Sequence, residues 1–375
     1  MTKEINIGIV GTKFMGRAHT NAYLNVARFF DLPVQPVLRA ACGRNAADLA
    51  AFAWQFGWQT TEASWKELVA RDDVDLVDIC TGNVTHKPIA LAAARAGKHI
   101  LCEKPLAMDA AEAREMLDAA EEAGVCHMVA FNYRRVPAIA LARQLIAEGK
   151  IGQVYHFNAA YYQDWLVDPA FGYTWRHDAK QGGSGAHGDL NAHTVDLARY
   201  LMGEVEAVSA AQETFVKERQ VSGEAGMAPV SGRCAVLPGA VPQGRAGLVH
   251  GDACCRRAPQ HAPSGDFRQR GRASVQPGAD ERADVLFAIR WGERAGISYH
   301  PGHGGEPPVP ERLVAPGAYP RLGTYVYPRV CDLLVAIDGG RGAVPSFYDG
   351  LRCQQVLDAA LESARGGTWV QVAGG

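Results

Sequence analysis

The chain has 375 residues, long enough for two domains with sizeable cores. Its formal net charge of -2 argues against an electrostatic nucleic-acid binder, and no apolar run approaches the ~18 residues of a membrane span. Nine cysteines, scattered without a CxxC pair, read as reduced thiols; with an N-terminus that enters a strand directly, they point to a cytoplasmic protein.

The first third alternates apolar runs with helical patterns. Ile5 to Val10 reads as a buried strand, Gly11 to Gly16 as a turn, and Arg17 to Phe30 as a helical stretch. Val37 to Cys42 is a second strand, followed by a helix over Ala46 to Phe56. Val74 to Cys80 is a strand ending in the loop Thr81 to His86, and Pro88 to Ala96 is a helix with proline in its first turn. His99 to Cys102 is a strand, Ala110 to Ala123 a helix and Cys126 to Ala130 a further strand. This order predicts a doubly wound parallel sheet over residues 1–130.

Residues 131–375 read as a second, α/β domain. Pro137 to Glu148 is helical, Val154 to Tyr162 alternates like a strand, His193 to Leu201 continues as a helix, and Val205 to Thr214 is a strand candidate. Cys331 to Ile337 and Leu351 to Ala364 have helical spacing, and Trp369 to Val372 is a last short strand. Between Met227 and Arg329 the order breaks down into prolines, glycines and arginines. So long a structureless insertion inside a compact domain runs against loop-length expectation. A shifted reading frame is the favoured explanation. Read one base later, codons for Tyr325 to Arg329 with Val330 can encode Thr-Phe-Ile-His-Glu, leading straight into Cys331. Codons for Val275 to Phe287 likewise yield strand-like alternation. The second domain's sheet is therefore expected to be disrupted over 227–329.

Gly8, Gly11 and Gly16 surround the first strand-to-helix turn. In the GxGxxG dinucleotide pattern the second glycine falls at position 13, which here is Lys13. Lys13 either displaces a bound cofactor slightly or adds positive charge near phosphate. The second strand ends Cys42-Gly43-Arg44, without the carboxylate that binds a ribose 2′-hydroxyl. Arg44 can accept a 2′-phosphate, which leans the cofactor from NAD toward NADP; the plainer reading is a solvated arginine opening a helix.

Glu103-Lys104-Pro105 closes the strand His99 to Cys102, where parallel sheets bind ligands. Further on, Gly188-Asp189-Leu190-Asn191-Ala192-His193 supplies a histidine with a carboxylate four residues earlier. Lysine, aspartate and histidine are the groups needed to move a proton while a hydride leaves, since histidine titrates near neutrality and a lysine stabilises a developing alkoxide. Each alone reads as a surface lysine, a capping aspartate or a packed histidine. Thr81, Asn83 and His86 follow a strand's carboxyl end, either lining the nicotinamide side or forming a polar turn. Trp165 reads equally as a platform for a sugar ring and as a core tryptophan. A metal held by His187, Asp189 and His193 is unnecessary when Lys104 supplies positive charge.

Gly8-Ile9-Val10-Gly11 with Met15-Gly16-Arg17-Ala18-His19, then Glu103-Lys104-Pro105, then Gly188-Asp189 through His193-Thr194-Val195-Asp196, resemble the glucose-fructose oxidoreductase / inositol dehydrogenase / rhizopine catabolism (Gfo/Idh/MocA) family. Phe131 to Arg135 and Tyr162 to Trp165 are similar to its sugar dehydrogenases. The resemblance covers 1–226 and 330–375. It implies a Rossmann domain, a C-terminal α/β domain with an open, mostly antiparallel sheet used for homo-oligomer contacts, and a cis Lys104–Pro105 bond. It implies His193 as acid/base, Asp189 holding substrate and Lys104 bonding the reacting oxygen. Gly11, Lys13, Phe14, Met15, Gly16, Arg44, Thr81, Asn83, His86, Glu103, Lys104, Asn132 and Arg176 become NAD or NADP contacts. Tyr133, Trp165, Arg176, Asp189 and His193 become contacts to a sugar, cyclitol or polyol. A nucleotide-binding sensor without turnover and a defective product of the shifted frame are the competing readings.

Overall fold

A computed structural model of the chain describes residues 2–154, 156–163, 166–221, 226–230, 234–241, 245–252, 271–273, 287–289, 297–298 and 322–374. The chain forms two compact units, one of residues 1–135 with 320–354 and the other of 136–319 with 355–375.

The first unit begins with β1 (Lys3–Val10), α1 (Phe14–Asn25), β2 (Val34–Cys42), α2 (Ala46–Phe56), β3 (Thr60–Glu62) and α3 (Trp65–Val69). β4 (Leu76–Ile79), α4 (His86–Arg95), β5 (His99–Cys102), α5 (Ala110–Glu122) and β6 (His127–Val129) follow. The strands lie in the order β3-β2-β1-β4-β5-β6, every neighbouring pair parallel. This is the doubly wound order, whose reversal between β1 and β4 opens a ligand crevice at the carboxyl ends of the strands. The strands are continuous apolar runs because both faces are covered: Ile7, Ile9, Leu76 and Met128 are fully buried. Side-chain caps set helix starts, Asn45 accepting from Asp48 N and Asp109 from Glu112 N.

After a 3-10 turn over Asn132–Arg135, the second unit supplies α6 (Pro137–Ala147), β7 (His156–Tyr162), α7 (Ala179–Gly182), a π-helical turn over His187–Asn191, and α8 (Ala192–Met202). The strands β8 (Ala207–Val208), β9 (Ala211–Glu213), β10 (Glu218–Gln220), β11 (Met227–Pro229), β12 (Cys234–Val241) and β13 (Arg245–Asp252) come next. Then come β14 (Gly271–Ala273), β15 (Phe287–Ile289), β16 (Ile297–Ser298), α9 (Leu322–Asp338), α10 (Phe347–Gly366) and β17 (Val370–Gln371). The main sheet of this unit runs β17-β8-β12-β13-β7, with β9 also on β12, and all its pairs are antiparallel except β13 with β7. The disruption expected over 227–329 does not reach β12 and β13, which form adjoining strands of this sheet. Their ladder is made by backbone groups, which pair whatever the side chains.

α9 packs in the first unit: Val326, Val330, Leu333, Leu334 and Ile337 join Ile5, Ile7, Tyr23 and Val26 in one buried cluster. An apolar helix face is placed by the surface that buries it rather than by its position along the chain.

Candidate active site

The first strand-to-helix turn is built by two glycines. Gly11 has φ of 111°, and a β-carbon there would lie 2.5 Å from the Cys80 carbonyl oxygen. A β-carbon on Gly16 would overlap the Gly11 carbonyl, so only glycine lets α1 start this close to β1. α1 has no side-chain cap and no acidic residue in its first turn, which leaves its N-terminus suited to an anion such as a pyrophosphate. These features fit a dinucleotide.

Lys13 precedes α1 and its Nζ donates to Asp48 Oδ2 at 2.6 Å, an exposed pair at the start of α2. Phe14 is 67% exposed and Met15 is half-buried. Arg44 is exposed where β2 ends. The carboxylate across from that end, Glu62 opposite Cys42, is held by Arg71 Nη1 at 2.6 Å.

At the end of β4, Thr81 Oγ1 accepts from Thr85 Oγ1 at 2.7 Å, and Asn83 is buried. His86 is fully buried, with Nδ1 3.0 Å from the Pro105 carbonyl and Nε2 3.2 Å from the Thr81 carbonyl. Burial lowers its pKa. Through these two contacts the ring ties the loop after β4 to the loop after β5. Lys104 is half-buried and the Lys104–Pro105 bond is cis. Glu103 is also turned inward: Oε1 lies 3.0 Å from His19 Nε2, and Oε2 accepts from the Lys104 N–H at 3.1 Å. Both of its oxygens contact protein groups. Asn132 and Tyr133 are buried in the 3-10 turn after β6.

In the second unit the π-helical turn carries Asp189 and leads into α8 with His193. π-turns are rare and recur at functional sites. Asp189 Oδ2 is 3.6 Å from Arg176 Nε, and the Arg176 guanidinium lies 4.4 Å over the Trp175 ring. His193 is buried edge-on to Tyr161, their rings 5.9 Å apart. Tyr161 was missed from the sequence; its hydroxyl accepts from Gln163 Nε2 at 2.7 Å, and strand alternation along β7 was the signal that could have found it. Trp165 lies outside the described residues. His187 is fully buried, with Nε2 3.0 Å from the Leu357 carbonyl and Nδ1 2.9 Å from Asn191 Nδ2. The structure thus brings Arg176 to Asp189 in one unit and Glu103, His86 and Thr81 to the Lys104–Pro105 loop in the other.

Comparison with known proteins matches residues 5–131 to an oxidoreductase family with an NAD-binding Rossmann fold, and 139–229 to the GFO/IDH/MocA C-terminal domain. The chain is 36% identical to levoglucosan dehydrogenase of Pseudarthrobacter phenanthrenivorans over 99% of this chain and 98% of that protein. The solved structure of a levoglucosan dehydrogenase with NADH and levoglucosan matches at a TM-score of 0.83 and 33% identity, over 99% of this chain and all of that one (100%). An oxidoreductase domain protein from Kribbella flavida matches at a TM-score of 0.84 and 38% identity, over 99% of this chain and 100% of that one.

Proposed function

The chain belongs to the Gfo/Idh/MocA family of oxidoreductases, and from that premise we propose that it is a sugar dehydrogenase. It transfers a hydride between NAD(P) and a hydroxyl of a sugar or anhydrosugar of the levoglucosan kind. The observation that carries this reading is Lys104, presented at the carboxyl end of β5 in a sheet whose first turn fits a dinucleotide.

The turn Gly11–Gly16 and the N-terminus of α1 hold the pyrophosphate. NAD(P), when bound, supplies the hydride acceptor. Lys104 donates a hydrogen bond to the substrate oxygen and stabilises its negative charge as the proton leaves. His193 takes that proton. Asp189 orients the substrate, and its Arg176 partner adds a second polar contact. An exposed Arg44, with Glu62 already paired, supports acceptance of NADP beside NAD. No described helix is long and apolar enough to cross a membrane. Cys42, Cys80, Cys102, Cys126, Cys331 and Cys353 are free thiols, which supports a reducing, cytoplasmic setting. An open sheet edged by β7 and β17 supports homo-oligomer formation.

A shifted reading frame accounts for the segment ending at Arg329. Two features support it. The C-terminal family match stops at residue 229. The segment's last residues put Pro328 inside α9 and bury Arg329 with Nε and Nη1 lacking a hydrogen bond. DNA resequencing without a compensating pair of insertion and deletion removes this part of the account.

The functional test is nicotinamide reduction with NAD or NADP and a panel of levoglucosan, sorbose, aldoses and inositols. It is run on this chain beside a frame-restored one. Turnover of a sugar in either chain supports the assignment; binding of NADH without turnover in both replaces it with a sensor.

A further inference from the structure

A buried chain of charged groups underlies the Lys104 loop. His19 on α1 is fully buried between Asp78 on β4 and Glu103 after β5. Its Nδ1 lies 2.9 Å from both carboxylate oxygens of Asp78, and its Nε2 lies 3.0 Å from Glu103 Oε1. The other Glu103 oxygen accepts the Lys104 N–H at 3.1 Å. Tyr23 OH donates to Asp78 Oδ2 at 3.0 Å, and Cys80 Sγ lies 3.3 Å from Asp78 Oδ1 and 3.1 Å from His19 Nδ1. Arg329 places Nη2 2.6 Å from His19 Nε2 and Nη1 3.8 Å from Glu103 Oε1.

Burial favours a neutral imidazole, but the charge of Asp78 and the hydrogen bonds to Asp78 and Glu103 outweigh it and the opposing Arg329, so the His19 pKa is raised. Glu103, against its own burial, is held at about 2 by His19, Arg329 and Lys104. Protonated at both nitrogens, the state that the raised pKa favours, the ring can donate Nδ1–H to Asp78 and Nε2–H to Glu103, with Arg329 Nη2 abutting Nε2. Apolar residues would join α1, β4 and β5 at least as firmly, because buried ion pairs seldom add net stability. Such a chain is better suited to holding a reactive group in place. Both flanks of the cis bond are pinned, Lys104 N by Glu103 and the Pro105 carbonyl by His86.

We propose that His19 is a positioning residue for Lys104, acting through the Glu103 carboxylate. The proposal rests on the sugar dehydrogenase reading above.

The test compares His19→Gln with His19→Asn in this chain where it turns over, and otherwise in the frame-restored chain, whose decoding replaces Arg329 but keeps His19, Asp78 and Glu103. Glutamine keeps a donor where Nε2 faces Glu103, and asparagine keeps one only where Nδ1 faces Asp78. His19→Asn is expected to lower kcat by ~10- to 100-fold, the range that one charge-assisted hydrogen bond spans, and His19→Gln to recover most of that loss. The sugar KM and the NADH Kd stay within about threefold in both, because the interaction acts in the transition state. Equal losses in the two variants, or loss of NADH binding in step with kcat, overturns the proposal. Should both variants misfold, Glu103→Gln, which keeps the side chain's shape, is measured instead. A fall in its kcat at constant Kd supports the proposal and an unchanged kcat overturns it. An intact chain that turns over no sugar removes the functional reading and the proposal together, whereas turnover insensitive to His19 removes the proposal alone.

Discussion

Lys104 and Gly16 make the sharpest demands at single positions. Lys104→Ala is expected to lower kcat by ~10²- to 10³-fold, as removal of one donor to a developing oxyanion does, with NADH affinity nearly unchanged. Steady-state kinetics beside a fluorescence titration of NADH checks both halves. Gly16→Ala puts a methyl group on the Gly11 carbonyl, so the turn must open. The expectation is at least ~10-fold weaker NADH binding in the same titration. The residues proposed for the reaction stand out in the sequence because Glu103-Lys104-Pro105 and Gly188 to His193 are local motifs. The residues that hold them were not. His19, Asp78 and Glu103 come from three separate stretches, and no spacing in the chain announces that they touch. For His86 the sequence gives the place of the loop after a strand, while the contacts of its ring to the Thr81 and Pro105 carbonyls are set by the fold.

At the level of elements, α9 and α5 offer independent checks. Leu334 is fully buried in the cluster that seats α9, so Leu334→Ala is expected to cost about 2–5 kcal/mol in denaturant unfolding. Asp109 accepts from Glu112 N at 2.8 Å, and Glu112 Oε2 accepts from Met108 N at 3.2 Å. Asp109→Ala is expected to cost ~1 kcal/mol in the same experiment. Most strands of the first sheet could be read from the sequence because burial on two faces makes them unbroken apolar runs. β3 could not: Thr60-Thr61-Glu62 lies at the sheet edge and carries no apolar signal. The π-turn also escaped, since Gly188 to Asn191 reads as the ordinary entry of a helix. The first turns of α9 lie in the stretch whose composition obscured the pattern, which is why only Cys331 to Ile337 of this helix was legible.

For the whole molecule, its neutral buried histidines set the response to acid. Burial pushes His127 down to about 4, and burial with the charges of Arg219 and Arg176 does the same to His177. His86 and His99 are lowered as well. Between about 4 and the ordinary 6.5 the unfolded chain binds more protons than the folded one, so stability falls as pH drops through that window. His19 opposes this: its raised pKa stabilises the fold below 6.5, and the contribution is lost as pH rises through the folded value. Among the described residues these four lowered histidines outweigh the raised His19, and the melting temperature is expected to drop by several degrees between neutral pH and about pH 5. His127→Asn is expected to flatten that slope in a pH series of thermal melts. The central claim is direct hydride transfer from a sugar to nicotinamide, assisted by Lys104. Its most direct test is the mass of the reduced cofactor after turnover of a sugar deuterated at every carbon. The account predicts one deuterium per reduced nicotinamide, formed much more slowly in Lys104→Ala. Reduced cofactor without deuterium, or the same rate in the variant, contradicts it.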